Sequence, residues 1–216
     1  KKGVTTNLEL LEFVVNELKT ITPRVKICES ESEWRDIDEI FDNLNISCDT
    51  VNLSELDSLE IVSSYGKIQI PKIPDNTHII NIPILKSHDL TKVSIGIKNL
   101  FGFIQTKEKS KFHSAIDEVL IDIRNSIKPK LNLLDCSYYM DGNGPKNGAI
   151  KKGNFLIYSN SVESLDYVAC KAIGIDPFKI PHIRNAIGKE YENIKIEIEN
   201  PKLFPIEFFN PYINDS

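Results

Sequence analysis

His78-Ile79-Ile80-Asn81-Ile82-Pro83 is the stretch of this chain that says most about its fold. The run is short and nearly continuous in β-branched residues, and Pro71 and Pro74 mark a loop before it. Such a run suits a strand buried on both faces, which is typical of the centre of a parallel sheet. The segment therefore predicts a central strand within an α/β domain.

Helical and strand-like patterns alternate on both sides of this strand. Predicted helices lie at residues 6–21, around 34–44, and at 114–127, 161–173 and 181–189. Predicted strands lie at residues 25–28, 50–53, 131–135, 155–158 and 195–198, with a hairpin over 61–70. This alternation indicates an α/β fold with a mainly parallel sheet and helices on both faces. We expect one domain over residues 1–216, with residues 200–216 as an ordered surface tail.

The composition argues against several classes of function. A net charge of −5 disfavours a general nucleic-acid surface, and no apolar run reaches the length that crosses a bilayer. The cysteines are widely spaced, unlike the clustered thiolates of iron–sulfur and structural zinc sites; they are Cys28, Cys48, Cys136 and Cys170. The histidines lack a metal-ligand spacing, so no metal site is predicted. Free thiols in a reducing cytoplasm are the expected state.

Polar residues follow the predicted central strand. Lys86 and His88 lie two residues apart, so an extended chain places both side chains on the same side. A cation beside an imidazole suits a carboxylate or phosphate group, and His88 can transfer a proton near neutral pH. The alternative is an exposed loop in which both side chains are solvated.

Two further cationic positions follow along the chain. Lys98 and Asn99 stand among apolar residues, where polar groups are costly unless paired, so the pattern favours a ligand or an ion pair. A lysine on a helix turn can also extend its ammonium group to water. His113 precedes a predicted helix with Ser114 as N-cap, a position that favours anions. Half-burial beside the preceding phenylalanine is the alternative for His113.

The last polar region joins a carboxylate to a glycine-rich loop. Asp135 ends a predicted strand, and Gly142, Asn143 and Gly144 then allow the backbone to approach an anion closely. Neither the dinucleotide-binding nor the P-loop spacing is matched, and a plain turn is the alternative. Asp166, inside the next predicted helix, is a candidate ligand-facing carboxylate, or it assists a helix dipole or pairs with a lysine.

Taken in order, these segments resemble a known family. The elements that carry the resemblance are Thr5-Thr6-Asn7, Asn81-Ile82-Pro83-Ile84-Leu85-Lys86-Ser87-His88, Ile97-Lys98-Asn99-Leu100-Phe101-Gly102, His113, Asp135, Gly142-Asn143-Gly144-Pro145, Asp166 and Gly174-Ile175-Asp176-Pro177. The chain resembles the domain-of-unknown-function 362 family over nearly its whole length, most strongly from Ile79 to Pro177.

The resemblance implies an α/β domain whose activity is not established. Many relatives carry a ferredoxin-like module with clustered cysteines, a pattern that this sequence lacks, which puts direct redox chemistry in doubt. Relatives also tend to have aspartate where this chain has Ser161. The family implies that the Lys86, His88, Lys98, Asn99 and His113 positions recur as a set, and this favours one shared site.

We predict a small-molecule enzyme that binds an anionic metabolite. Lys86 and Lys98 would hold the anion, His88 or His113 would transfer a proton, and the glycine-rich loop would close over the ligand. The sequence identifies neither the substrate nor a cofactor, and it does not predict the oligomeric state.

Two alternatives come from other functional classes. The first is a non-catalytic module that binds a ligand or scaffolds an iron–sulfur protein on another chain. An exposed apolar patch at residues 101–104 or 204–209 would favour it. The second is a metal-dependent enzyme that uses His88, His113 and Asp135 as ligands.

Overall fold

The computed structural model describes residues 3–63, 65–188, 191 and 205–213. The chain divides into two compact units, although the sequence predicted a single undivided domain. Unit 1 consists of residues 1–7, 78–100 and 127–216, and unit 2 consists of residues 8–77 and 101–126. Each unit is therefore assembled from segments that are distant in the sequence.

The helices and strands follow the predicted order with shifted boundaries. The helices are α1 (Leu8–Ile21), α2 (Ile37–Asp42), α3 (Gly96–Asn99), α4 (Ile116–Ser126), α5 (Val162–Ala172) and α6 (Pro181–Ala186). The strands are β1 (Lys26–Glu29), β2 (Asp49–Asn52), β3 (Ser58–Ser63), β4 (Gly66–Pro71), β5 (Ile80–Asn81), β6 (Ile84–His88), β7 (Lys92–Ser94), β8 (Leu131–Asp141) and β9 (Ala149–Ser159). Short 3-10 turns cover Leu53–Glu55, Leu100–Phe103, Lys109–Ala115 and Pro177–Lys179.

Unit 1 is built on a five-stranded sheet whose longest strands are β8 and β9. Strands β5 and β6 pair with β8 in parallel, whereas β9 pairs with β8, and β7 with β6, in antiparallel fashion. The α/β class is confirmed, but the mainly parallel sheet is not seen because the sheet is mixed. The short connections after β6 and β8 are the reason, since a parallel partner needs a long crossover and an antiparallel one does not.

The run that predicted the central strand is divided into two strands. Pro83 separates β5 from β6, and its carbonyl oxygen accepts a hydrogen bond from the Asp135 amide at 2.8 Å. The residues after Pro83, for which an extended chain was expected and an exposed loop was the alternative, form strand β6. The extended region thus continues past the predicted strand, from Pro83 to His88.

The two faces of this sheet differ. Helix α5 packs on one face, where Leu85 and Leu134 join Leu165 in a buried core. Because strand side chains alternate between faces, Lys86 and His88 lie on the opposite face from Leu85. Among the described residues of unit 1 that face is crossed by residues 3–7, not by a helix, so helices on both faces are not seen here.

Helix α5 begins and ends within one residue of the predicted bounds, 161–173. The Ser161 hydroxyl accepts a hydrogen bond from the Ser164 amide at 3.1 Å, which is N-cap geometry. Gly174 has a φ of 72° just after the helix, where the left-handed conformation favours glycine. The two caps explain why local sequence predicted this helix correctly.

Unit 2 contains a parallel pair and a hairpin. Strands β1 and β2 pair in parallel, and β3 and β4 pair antiparallel around a turn at Gly66, as predicted. Helix α2 begins only after Asp36, which caps it, so Trp34, at the start of the predicted helix, lies outside the helix. Trp34 is 79% exposed, whereas Ile37 in the first turn is fully buried.

The predicted strand at residues 195–198 lies outside the described residues. The described part of the predicted surface tail, residues 205–213, is hydrogen-bonded to unit 1. The Phe209 carbonyl accepts from the Gly142 amide at 2.7 Å, and the Asn210 side chain donates to the Lys92 carbonyl at 2.8 Å. All four cysteines are free thiols, and no helix within the described ranges is both long and apolar enough to span a bilayer.

Candidate functional site

Lys86 and His88 share one face of the unit 1 sheet, as their spacing predicted. Strand β6 carries both residues, and the Lys86 ammonium donates to the Val4 carbonyl at 3.3 Å. The His88 side chain is 13% exposed. His88 ends β6, and Lys86 at the middle of β6 pairs with Met140 near the carboxyl end of β8, the edge of an α/β sheet where ligands usually bind.

The Nδ1 nitrogen of His88 contacts the residues that follow it in the chain. Nδ1 accepts from the Leu90 amide at 3.2 Å and from the Thr91 amide at 3.4 Å. The Asp89 carboxylate lies 3.0 Å from the same nitrogen and accepts from the Leu90 amide as well. Nδ1 therefore makes its contacts with the backbone amides of Leu90 and Thr91 and with the carboxylate of Asp89.

Residues 3–7 cross the same face of the sheet. The Thr6 hydroxyl donates to the Ile82 carbonyl at 3.2 Å, and the Asn7 amide donates to the Asp135 carboxylate at 2.7 Å. The other carboxylate oxygen of Asp135 accepts from the Ser137 amide at 2.9 Å. Asp135 is buried, and it holds this N-terminal segment to β8. Both of its oxygens therefore serve backbone amides, which does not favour the predicted ligand or metal role.

The glycine-rich loop after β8 packs on strand β6. The Ser87 hydroxyl donates to the Gly142 carbonyl at 2.8 Å and accepts from the Gly144 amide at 3.1 Å. A Cβ atom at Gly144 would lie 2.3 Å from the Ser87 carbonyl oxygen, so only glycine fits there. The Gly142 amide is bound by Phe209, so two of the amides predicted to cradle an anion serve internal contacts instead. Asn143 is exposed at the loop tip.

Lys98 and Asn99 lie on the short helix α3. The Asn99 side chain donates to the Asn81 side-chain oxygen at 2.8 Å. The Asn81 amide donates in turn to the Gly96 carbonyl at 3.2 Å and to the Asn132 side-chain oxygen at 3.0 Å. Asn81 and Asn132 are buried. This network satisfies polar groups inside the fold, which is a structural role for Asn99.

The structure separates parts of the predicted site along strand β8. Asn132, which joins the Asn99 network, lies at the start of β8, whereas Gly142 follows its end. At the usual rise of about 3.3 Å per strand residue, these positions are roughly 33 Å apart. The loop therefore lies beside Lys86 and His88 and far from the Asn99 network.

Asp166 fixes the start of helix α3 from helix α5. Its two carboxylate oxygens accept from the Gly96 amide at 2.7 Å and the Ile97 amide at 3.0 Å. Burial raises the pKa of Asp166 to about 7, although these two hydrogen bonds lower it. A Cβ atom at Gly96 would lie 2.7 Å from the Asp166 carboxylate, so this close approach requires glycine. Asp166 supports a helix terminus, the alternative to its predicted ligand-facing role.

His113 belongs to unit 2, whereas Lys86, His88 and Lys98 belong to unit 1. It lies in the 3-10 turn that leads into α4, so it precedes a helix as predicted, although α4 begins at Ile116 and not at Ser114. Its exposed ring stacks on Phe101, with ring centres 6.4 Å apart. The four residues predicted to form one site are thus divided between the two units.

The apolar patch expected for the scaffold alternative is only partly exposed. Phe101 and Ile104 are buried, so residues 101–104 offer little apolar surface at their two ends. Phe209, in the second predicted patch, is 63% exposed.

Sequence reasoning gave no role to Asn81, Asn132 or Ser87. Polar residues inside strands predicted to be buried were the available signal, because such groups need partners within the fold. Ser87 was read as part of a Lys-Ser-His element, and only the structure reveals its hydroxyl as the contact that binds the glycine-rich loop.

One cluster of carboxylates in unit 2 has ligand atoms within 4.8 Å of one another: Glu31, Asp36 and Asp38. The Asn52 side-chain amide donates to two of them, at 3.4 Å to Glu31 and 3.3 Å to Asp38. The Lys107 ammonium lies 3.7 Å from Glu31. Glu31 and Asp38 therefore have partners within unit 2.

Comparisons with known proteins agree with the sequence resemblance. The chain is similar to the "Thylakoid-associated protein sll1697" of Synechocystis sp., with 34% identity over 126 residues. That match covers 55% of this chain and 39% of the relative, so the chain spans less than half of that protein. No solved structure matches. A family model described as "Domain of unknown function (DUF362)" matches residues 1–171, and the chain therefore belongs to this family.

Proposed function

We propose that unit 1 binds a small anionic metabolite, a carboxylate or a phosphate, on the sheet face that carries Lys86 and His88. In this proposal the Lys86 ammonium attracts the anion, and Nε2 of His88 exchanges a proton with it. Isomerisation or proton abstraction beside a carboxylate fits this pair of groups. Lys98 and His113 have no part in this version of the site.

One observation carries the proposal. Residues 3–7, the Lys86-Ser87-His88 segment and the glycine-rich loop are distant in sequence, yet the first two meet through Val4 and the last two through Ser87. They meet beside the carboxyl ends of the parallel strands β6 and β8. This edge is where α/β sheets commonly bind ligands, which supports a ligand site over a purely structural cluster.

Calorimetric titration with inorganic phosphate and with a small dicarboxylate tests the proposal. Lys86→Met should weaken the binding of one of these anions by roughly tenfold, the loss expected for one charge-assisted hydrogen bond. Lys179→Met, at an exposed position in the same unit, is the matched control and should bind like the unmodified protein. Equal affinities for both variants, or no binding of either anion, would contradict the proposal.

The exposed Phe209 favours a second proposal, a non-catalytic module that scaffolds an iron–sulfur protein. An apolar side chain exposed to this degree beside the glycine-rich loop can contact a partner. Phe209→Ser should then abolish binding of a purified iron–sulfur protein in an ultracentrifugation assay without changing phosphate affinity. Unchanged complex formation would contradict this proposal.

We also propose a cytoplasmic location, which the four free cysteines support because reducing compartments keep thiols unpaired. The name of the cyanobacterial relative associates that protein with thylakoids. Cell fractionation followed by immunoblotting distinguishes the two. Recovery in the membrane fraction after a high-salt wash would contradict the cytoplasmic proposal.

A further inference from the structure

A second strand end rich in polar groups lies in unit 2. Strands β1 and β2 pair in parallel, with Glu29 opposite Asn52 at their carboxyl ends. Ser30 follows β1 directly and is 1% exposed. Parallel strands that end side by side place the residues that follow them at one edge, where α/β folds commonly hold ligands.

A lysine from a distant segment reaches this edge. The Lys109 ammonium nitrogen lies 2.5 Å from the Ser30 hydroxyl and 3.5 Å from the Gly102 carbonyl oxygen. The Ser30 hydroxyl also donates to the Gly102 carbonyl. Lys109 is partly exposed whereas Ser30 is buried, so a molecule from solvent meets the amine before the hydroxyl.

The charged groups around Lys109 explain its protonation. The pKa of Lys109 is lowered to about 8, chiefly by burial and less by Arg35, while Glu29 and Glu31 act in the opposite direction. A larger share of this amine is therefore neutral near pH 7 than for an ordinary lysine. A neutral amine is the nucleophilic form, and lysines in this state form imines with carbonyl compounds.

We propose that Lys109 is a nucleophilic amine that forms a reversible imine with a small α-oxo acid at the carboxyl ends of β1 and β2. The proposal concerns unit 2 and is independent of the anion site proposed in unit 1. Arg35, which lies near enough to influence Lys109, supplies a cation for the carboxylate of such a ligand. The Ser30 hydroxyl hydrogen is engaged by Gly102, which makes the lysine the better candidate nucleophile.

The reaction balances without an oxidant or a cofactor. The neutral Nζ forms a bond to the carbonyl carbon, and the carbonyl oxygen takes up a proton as Nζ loses one. The resulting carbinolamine loses water, leaving a carbon–nitrogen double bond between Nζ and the former carbonyl carbon. Solvent, which reaches the partly exposed Lys109, carries the proton from nitrogen to oxygen.

Trapping with glyoxylate and cyanoborohydride tests the proposal on the full chain. Glyoxylate is a small α-oxo acid, and the hydride reduces any imine to a stable adduct that peptide mass spectrometry assigns to a residue. Near neutral pH, Lys109 should be modified roughly tenfold faster than the exposed Lys107 and Lys111, since more of its amine is neutral. Modification of Lys109 at the rate of those two lysines would overturn the proposal.

The dependence of the trapping rate on pH distinguishes a nucleophilic Lys109 from a lysine with a structural role only. Glu29→Gln removes a carboxylate that raises the pKa of Lys109, so the midpoint of the profile should shift to lower pH. The Gln side-chain oxygen can still accept from the Ser30 amide, as Glu29 does at 3.0 Å. Lys72→Met, at an exposed position, is the control and should leave the midpoint unchanged. An unchanged midpoint in Glu29→Gln would overturn the proposal.

Discussion

At the scale of single residues, Gly96 and Asp166 show how one close contact supports a segment of the family pattern. The carboxylate of Asp166 reaches two amides of helix α3 because Gly96 has no side chain. The sequence pattern around Lys98 therefore reflects packing at Gly96 as well as any chemistry of the lysine.

Gly96→Ala should destabilise the protein by about 1–3 kcal/mol, since the new methyl group would overlap Asp166 and Val162. Urea unfolding followed by circular dichroism measures the change. Gly102→Ala is the matched control, because its Cβ would lie 3.5 Å from the nearest atom, Glu29 Oε1, an ordinary contact. Equal stability of the two variants would contradict the steric argument.

Asp166 should also give stability a pH dependence. Its pKa is raised in the folded state from 3.8 to about 7, so the folded protein holds this proton more tightly than the unfolded chain. The resulting stabilisation is fully present below pH 3.8 and is lost as pH rises through about 7. Asp166→Asn should flatten the fall in unfolding free energy between about pH 5 and about pH 8.

The same urea titrations at several pH values test this claim. Asp75→Asn, at an exposed position, is the control and should keep the slope of the unmodified protein. Matching slopes for the Asp166→Asn variant and the unmodified protein would mean that Asp166 does not titrate in this range.

At the scale of secondary-structure elements, local signals predicted what lies within an element. The pattern at residues 161–173 predicted helix α5 to within one residue at each end, and the spacing of Lys86 and His88 placed both on one face of β6. Pairing between strands depends on residues far apart in sequence, so the mixed sheet could not be read from local patterns. The roles of Asn99 and Gly144 were missed for the same reason, since their partners Asn81 and Ser87 come from other elements.

Ser87→Ala should loosen the connection between β6 and the glycine-rich loop. The Gly144 amide would lose its side-chain acceptor and the Gly142 carbonyl its donor, contacts worth roughly 1 kcal/mol each. Amide hydrogen exchange should therefore become faster at Gly142 and Gly144, while helix α5 should be unaffected. Ser94→Ala on the neighbouring strand is the control, and equal exchange in both variants would refute this role of Ser87.

At the scale of the whole molecule, successive segments of the chain alternate between unit 1 and unit 2. Residues 3–7 belong to unit 1, and the Asn7 amide donates to Asp135, 128 residues further along the chain. Such contacts give no local signal, so the division into two units could not be predicted from the sequence, and one domain over residues 1–216 stays a prediction.

Asn7→Pro removes the backbone amide hydrogen that Asp135 accepts. Because the buried Asp135 carboxylate then lacks one of its donors, the free energy of unfolding should fall by about 1–3 kcal/mol. Asn7→Ala keeps the amide and should retain most of the stability. Comparable losses in both variants would show that the Asn7 side chain, not its amide, makes the important contact.

NMR of the histidine side-chain nitrogens tests most directly whether an anion binds beside Lys86 and His88. Phosphate or a small dicarboxylate is added to ¹⁵N-histidine-labelled protein, and the four imidazole signals are followed. If the anion binds there, the Nε2 signal of His88 should show a saturable shift that is lost in Lys86→Met. The signals of His78, His113 and His182 should stay unchanged. A saturable shift at His113 in place of His88, or no response at His88, would contradict the proposed anion site.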